Sequence, residues 1–148
     1  MQFVKPSTWA ITLDILAGPT MSWSDLAKKL ESKGVAPSEA KTLADKAAKL
    51  KLINDEDWAL NRARSEIEKK RGALRIETTL KSHGIGDDIL LKVKRELHIG
   101  EPESELIRAQ KALAKKNIAN NGPKMLRYLL NLGYDEQTAR SCVEPNAQ

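Results

Sequence analysis

The chain has 148 residues, enough for one ordinary domain or a few small repeat units. Hydrophobic residues make up 41% and charged residues 30%, which excludes a disordered tail; aromatics at only 4% favour helices with Ala, Leu and Ile cores over a β-sandwich. Lys and Arg number 25 against 20 Asp and Glu, a net charge of +5 that permits a nucleic acid or an acidic protein surface as partner and demonstrates neither.

The single cysteine, Cys142, excludes an internal disulfide and fits a reducing cytoplasm. No apolar run approaches the roughly 20 residues needed to cross a bilayer. The start, MQFVKPSTWAITL, lacks the basic residues, long apolar stretch and cleavage site of a signal peptide. A cytoplasmic monomer away from membranes is the expectation.

In chain order, Ser7 to Ala17 reads as a first helix, with Ala10, Leu13 and Ala17 on one side and Ile11 and Ile15 near it; Gly18-Pro19 ends it. Ser22 caps a second helix, with Asp25 three residues on as a capping-box variant, and Gly34 stops it. Pro37 opens a third, whose inner face is Ala40, Leu43, Ala44, Ala47 and Leu50. Asn54 caps a fourth, with Asp55, Glu56 and Asp57 at the positive end of its dipole and Trp58, Ala59, Ala63 and Ile67 as its apolar stripe. A fifth runs from Ala73 to His83, carries Ile76 and Leu80, and ends at Gly84. Asp87 and Asp88 open a sixth with Leu90, Val93 and Leu97 inside, ended by Gly100. Pro102 starts a seventh with Leu106, Ala109 and Leu113 inward. A loop at Asn120, Asn121 and Gly122 leads to an eighth from Pro123 to Gly133. Asp135 caps a ninth with Ala139, Cys142 and Val143, and Glu144 to Gln148 form a tail.

A pattern recurs along this series. Leu26-Leu30-Gly34-Val35 aligns with Ile76-Leu80-Gly84-Ile85 and with Met125-Leu129-Gly133-Tyr134. Farther on, Ala40/Leu43, Leu90/Val93 and Ala139/Cys142 also correspond. The spacing predicts an all-α protein of three tandem three-helix repeats, at 1–53, 54–100 and 101–148. A unit of that size buries too little apolar area alone, so neighbouring repeats are expected to stack into an elongated, curved body.

These residues resemble the RecX family, the regulators of the RecA recombinase, from about Thr8 to Val143. Ser22, Leu26, Lys29 and Leu30 are similar to the family's S-x-x-E-L-x-x-K-L, and Ile53, Asp55, Trp58 and Ala59 to its x-L-x-D-x-x-F-A. At the centre, Ser65, Lys69, Gly72, Arg75, Ile76, Leu80, Gly84 and Ile85 resemble S-R-x-x-K-G-x-G-P-x-R-I-x-x-E-L-x-x-K-G-I. Lys124, Arg127, Tyr128, Leu129, Gly133 and Tyr134 resemble K-x-x-R-F-L-x-x-R-G-F. The chain departs from the pattern at Glu66 (for Arg), Lys70 (for Gly), Ala73 (for Pro), Thr79 (for Glu), His83 (for Lys) and Leu132 (for Arg). The resemblance implies a non-enzymatic protein that lies along RecA filaments on DNA and inhibits ATP hydrolysis, strand exchange and repressor cleavage.

Basic residues on a long surface can reach protein acids or DNA phosphates, and phosphate contacts hold position without reading sequence. The candidates for filament binding are Arg62, Arg64, Lys69, Lys70, Arg71, Arg75 and Lys81 in the centre, with Lys124 and Arg127 in the third repeat. The alternative for each is a solvated helix face, partly neutralised by Glu66, Glu68 and Glu77. Trp9, Trp23, Trp58, Tyr128 and Tyr134 are too scattered for a stacking platform, and Trp58 and Tyr134 are expected in the core.

Little points to catalysis, a metal or a cofactor. Helix capping accounts for Asp55-Glu56-Asp57 and Asp87-Asp88; His83 and His98 lack partners at ligand spacing; Cys142 lacks a base; and no phosphate loop is present. The rival functions are a helix-turn-helix-like nucleic-acid-binding protein and a scaffold for another acidic protein.

Overall fold

The computed structural model describes residues 7–116, 118 and 121–144. Among them all regular structure is helical: α1 (Thr8–Leu16), α2 (Trp23–Ser32), α3 (Pro37–Lys49), α4 (Asp55–Glu68), α5 (Ala73–Ser82), α6 (Asp87–Leu97), α7 (Pro102–Lys116), α8 (Gly122–Leu132) and α9 (Glu136–Val143). Asn120 of the expected loop and residues 145–148 of the expected tail lie outside the described residues.

Local chemistry explains most of the boundaries. Ser7, Ser22, Asn54, Asn121 and Asp135 each accept a hydrogen bond from the amide three residues on, satisfying one donor that a helix start leaves open. Pro37 opens α3, where its missing N–H costs nothing. Gly34, Gly84 and Gly133 follow α2, α5 and α8 with φ of +92°, +77° and +98°, the left-handed region that glycine enters freely.

The principal helix–helix contacts all fall within consecutive triplets: α1 with α2 and α3, α2 with α3, α4 with α5 and α6, and α7 with α8 and α9. Three apolar clusters follow the same division. The residues that recur in the sequence lie at their centres. Leu26, Leu30 and Val35, then Ile76, Leu80 and Ile85, then Leu129 and Tyr134, are all buried. Met125 is half-buried.

Several inward faces differ from the sequence expectation. In α1 it is Ile11 and Ile15, with Trp9 and Leu16, that pack on the first cluster, while Ala10, Leu13 and Ala17 face solvent. This helix carries apolar residues nearly all round, so periodicity does not select a face. Leu50 is 55% exposed because α3 ends at Lys49 and the chain leaves the helical register there. Trp58 is half-buried, its ring 4.8 Å from that of His83. Asp25 does not close the capping box; its carboxylate meets His83 Nδ1 at 2.6 Å.

The triplets are joined by specific polar contacts. Between the first and second, Ser22 Oγ donates to His83 O at 2.7 Å, and Trp23 N donates to Asp55 Oδ1 at 2.7 Å. Between the second and third, the main chains bond directly: Gly72 N to Leu132 O at 2.8 Å and Leu74 N to Gly133 O at 3.0 Å. Tyr134 Oη adds a bond to Lys70 O at 2.7 Å. Ala73 N donates to buried Glu105 Oε1 at 2.7 Å, and Glu105 in turn pairs with Arg108.

Candidate functional site

The central basic sector divides into two groups. Glu66 is fully buried, and with Ala59 and Ala63 it makes up the buried side of α4. Arg62 Nε reaches it at 3.2 Å from one turn earlier, and Arg71 Nη1 at 2.5 Å from beyond the helix end. Burial pushes the Glu66 carboxyl up, but the two guanidiniums outweigh it and hold the group below its ordinary value. Arg62 and Arg71, both candidates for filament binding, are thus engaged by an internal carboxylate. An apolar-stripe reading of α4 does not find this pair, since burial of an acid carries no hydropathy signal. The one cue in the sequence is the acid at position 66, flanked by arginines at i−4 and i+5.

The remaining central candidates stand on the surface. Arg64 lies 3.9 Å from Glu96, with both side chains more than half exposed, an arrangement worth little in water. Arg75 is exposed, and its Nη1 donates to Asn131 O at 3.3 Å, reaching the third triplet. Lys81 is exposed in the last turn of α5, eight residues from Ala73, or about 12 Å along the helix. Lys124 and Arg127 are exposed on α8.

Lys69 and Lys70 follow the end of α4 and line a groove with Glu68, Lys115, Lys116 and Tyr128. Lys115 and Lys116 were not among the sequence candidates. Their distance in sequence from Lys69 conceals the meeting, and a basic last turn is ordinary for a helix such as α7. Lys116 Nζ stands 5.7 Å from the centre of the Tyr128 ring. Trp9 is covered in a similar way by Lys46 Nζ at 4.0 Å, and Trp23 Nε1 donates to Asp45.

Tyr134 is buried, and loss of solvation raises its hydroxyl to about 12. Burial also raises the Cys142 thiol, which lies 4.0 Å from Leu106 O. Among the described residues no three His, Cys, Asp or Glu side chains are grouped as a metal would require. No helix is long and apolar enough to cross a membrane.

Three helical triplets, joined through main-chain and capping contacts and carrying uncompensated lysines along one joint, define a helical protein with an extended basic surface. No family model matches the chain. The regulatory protein RecX of Chromohalobacter salexigens is 30% identical over 134 residues, spanning 87% of this chain and 86% of that protein. The regulatory protein RecX of Caldanaerobacter subterraneus subsp. tengcongensis is 27% identical over 121 residues, spanning 82% of this chain and 61% of the longer relative. The chain belongs to the RecX family. The fold agrees: a crystal structure of regulatory protein RecX superposes with a TM-score of 0.76 at 21% identity, over 91% of this chain and 69% of that one. RecX from Lactobacillus salivarius superposes with a TM-score of 0.74 at 18% identity, over 93% of both chains.

Proposed function

We propose that this protein binds RecA filaments on DNA and restrains their activities: ATP hydrolysis, strand exchange and the co-protease function of the SOS response. The observation that carries the reading is the identity to regulatory protein RecX over 87% of the chain. The exposed cations Arg64, Lys69, Arg75, Lys81, Lys124 and Arg127, with half-buried Lys70, are the proposed contacts. Arg62 and Arg71 act one step back, by holding Glu66 and with it the end of α4. The protein works as a cytoplasmic monomer of three units, 1–53, 54–100 and 101–148, without a catalytic site of its own. An extended body bridges successive filament subunits and obstructs the changes that accompany growth and hydrolysis.

The test is RecA ATP hydrolysis on single-stranded DNA with this protein titrated in. Inhibition at fewer copies than RecA subunits is expected. Replacing Arg64, Lys69 and Arg75 together with glutamine should weaken filament binding while far-ultraviolet circular dichroism stays the same. Absence of inhibition, with preference for particular duplex sequences, would replace this reading with a helix-turn-helix-like DNA-binding protein.

A further inference from the structure

We propose that the groove at the joint of the second and third triplets holds single-stranded DNA, its phosphates on four lysines and an unpaired base on Tyr128. Lys69 and Lys70 come from the second triplet; Lys115, Lys116 and Tyr128 come from the third. The groove therefore exists only when the two are docked. The bonds from Gly72 N to Leu132 O and from Tyr134 Oη to Lys70 O fix that docking.

Charge favours an anion there. None of the four lysines forms an ion pair among the described residues. Opposing them are Glu68 and the C-terminal ends of α4 and α7, each end equivalent to about half a negative charge. The lysines outnumber that total roughly two to one. Four cations on one groove match successive phosphates of a chain better than a single small anion.

The backbone at Lys70 is that of a helix stop. Its φ is +64°, a left-handed conformation that costs a non-glycine residue roughly 1–2 kcal/mol. Lys51 and His98 take the same conformation after α3 and α6, so this geometry ends the helix and leaves Lys70 at the groove rim without itself marking a site.

Tyr128 selects the single strand. Its ring is half-buried against the third cluster, and Lys116 Nζ stands 5.7 Å from its centre, so a base that stacks there takes the place of that ammonium and leaves it for the adjoining phosphate. A base stacks on such a ring only when it is not already paired inside a duplex. The groove volume, about 310 Å3, lies at the lower end for ligand sites and takes one base, with the phosphates on either side of it running along the lysines at the rim.

The assignment rests on the proposed function for the kind of nucleic acid, so the test measures strand binding without RecA. The full chain is titrated into fluorescent oligothymidylate and into a labelled duplex, with anisotropy followed over a range of salt. The double variant Lys115→Gln, Lys116→Gln keeps good helix formers at exposed sites. Its salt slope on the single strand should be shallower by about 1.4, or about 0.7 per lost contact. Tyr128→Leu should bind the single strand roughly tenfold more weakly and the duplex unchanged.

Unchanged single-strand affinity in the double variant, with unchanged circular dichroism, overturns the proposal. Equal weakening of single strand and duplex by Tyr128→Leu overturns the stacking role. If the double variant loses affinity only for RecA in the absence of DNA, the groove belongs to an acidic protein surface and the proposal falls. The two readings fail separately. Strand binding that depends on the groove, without any effect of the wild-type protein on RecA ATP hydrolysis, upholds the groove and sinks the regulator. Inhibition that persists with groove-independent strand binding does the reverse.

Discussion

Gly72 and Gly133 meet main chain to main chain across the joint of the second and third triplets. A Cβ added to Gly72 would lie 2.5 Å from Gly133 C and from Tyr134 N, atoms that cannot swing aside. Gly72 itself has φ −88°, which alanine adopts without strain. Gly72→Ala should therefore destabilise through overpacking alone, by about 1–3 kcal/mol. Gly34→Ala provides the comparison: nothing stands within 4 Å of its Cβ, and only the left-handed φ opposes it. Its cost should be about 1 kcal/mol. Urea denaturation of the two variants checks the order, and a smaller loss for Gly72→Ala would contradict the close approach.

Glu66 ties acid stability to the end of α4. Its folded value is lowered, so as pH falls the unfolded chain takes up this proton first. The contribution is complete above the ordinary value of 4.5 and is lost as pH falls through the lower folded one. Glu66→Gln leaves Arg62 and Arg71 facing a neutral amide. At neutral pH this should cost about 3 kcal/mol, the lower end for a broken buried pair, because both arginines also reach water. The gap between wild type and variant should narrow below about pH 4.5, as read from denaturation midpoints across a pH series.

Lys70→Gly should separate stability from binding. Glycine removes a left-handed cost of roughly 1–2 kcal/mol and adds about 0.5–1 kcal/mol of unfolded-chain entropy. The net effect is a gain of about 0.5 kcal/mol, visible as a small rise in melting temperature. The same change deletes one groove cation, so single-strand affinity should fall as stability rises. A variant that is less stable would show that the Lys70 side chain contributes to packing.

Tyr134 predicts an alkaline transition. The unfolded chain ionises this hydroxyl near 10, the folded chain not until about 12. Its contribution is whole below pH 10 and disappears as pH climbs through that interval. Tyr134→Phe should flatten this part of the stability profile and cost about 1 kcal/mol at neutral pH, through loss of the bond to Lys70 O. Ultraviolet titration of the phenols in the native protein gives an independent reading.

The repeated framework was legible in the sequence because it is local. The apolar pairs Leu26/Leu30 and Ile76/Leu80, with the glycines that follow them, state a helix, its face and its stop within ten residues. The inner face of α1 was not legible, because an all-apolar helix offers several faces and only its neighbours α2 and α3 choose among them. Neither was the buried role of Glu66 and Glu105, whose partners are found by geometry rather than by hydropathy. The candidate surface was half legible. Lys69 and Lys70 stood out in a basic run, while Lys115 and Lys116 joined them only through a docking set by residues elsewhere in the chain.

The two joints are made of different material, and that gives the molecule a direction under load. Between the second and third triplets the side-chain bonds of Tyr134, Glu105 and Arg75 are joined by two ties that run from amide to carbonyl, and exchanging side chains on the surface leaves those two in place. Between the first and second, the ties pass through Ser22, Asp25 and Asp55, side chains that a single substitution deletes. A tensile force applied to the two ends would part the first triplet from the rest before it opened the seam at Gly72. The molecule would behave as a stiff pair with a detachable third member.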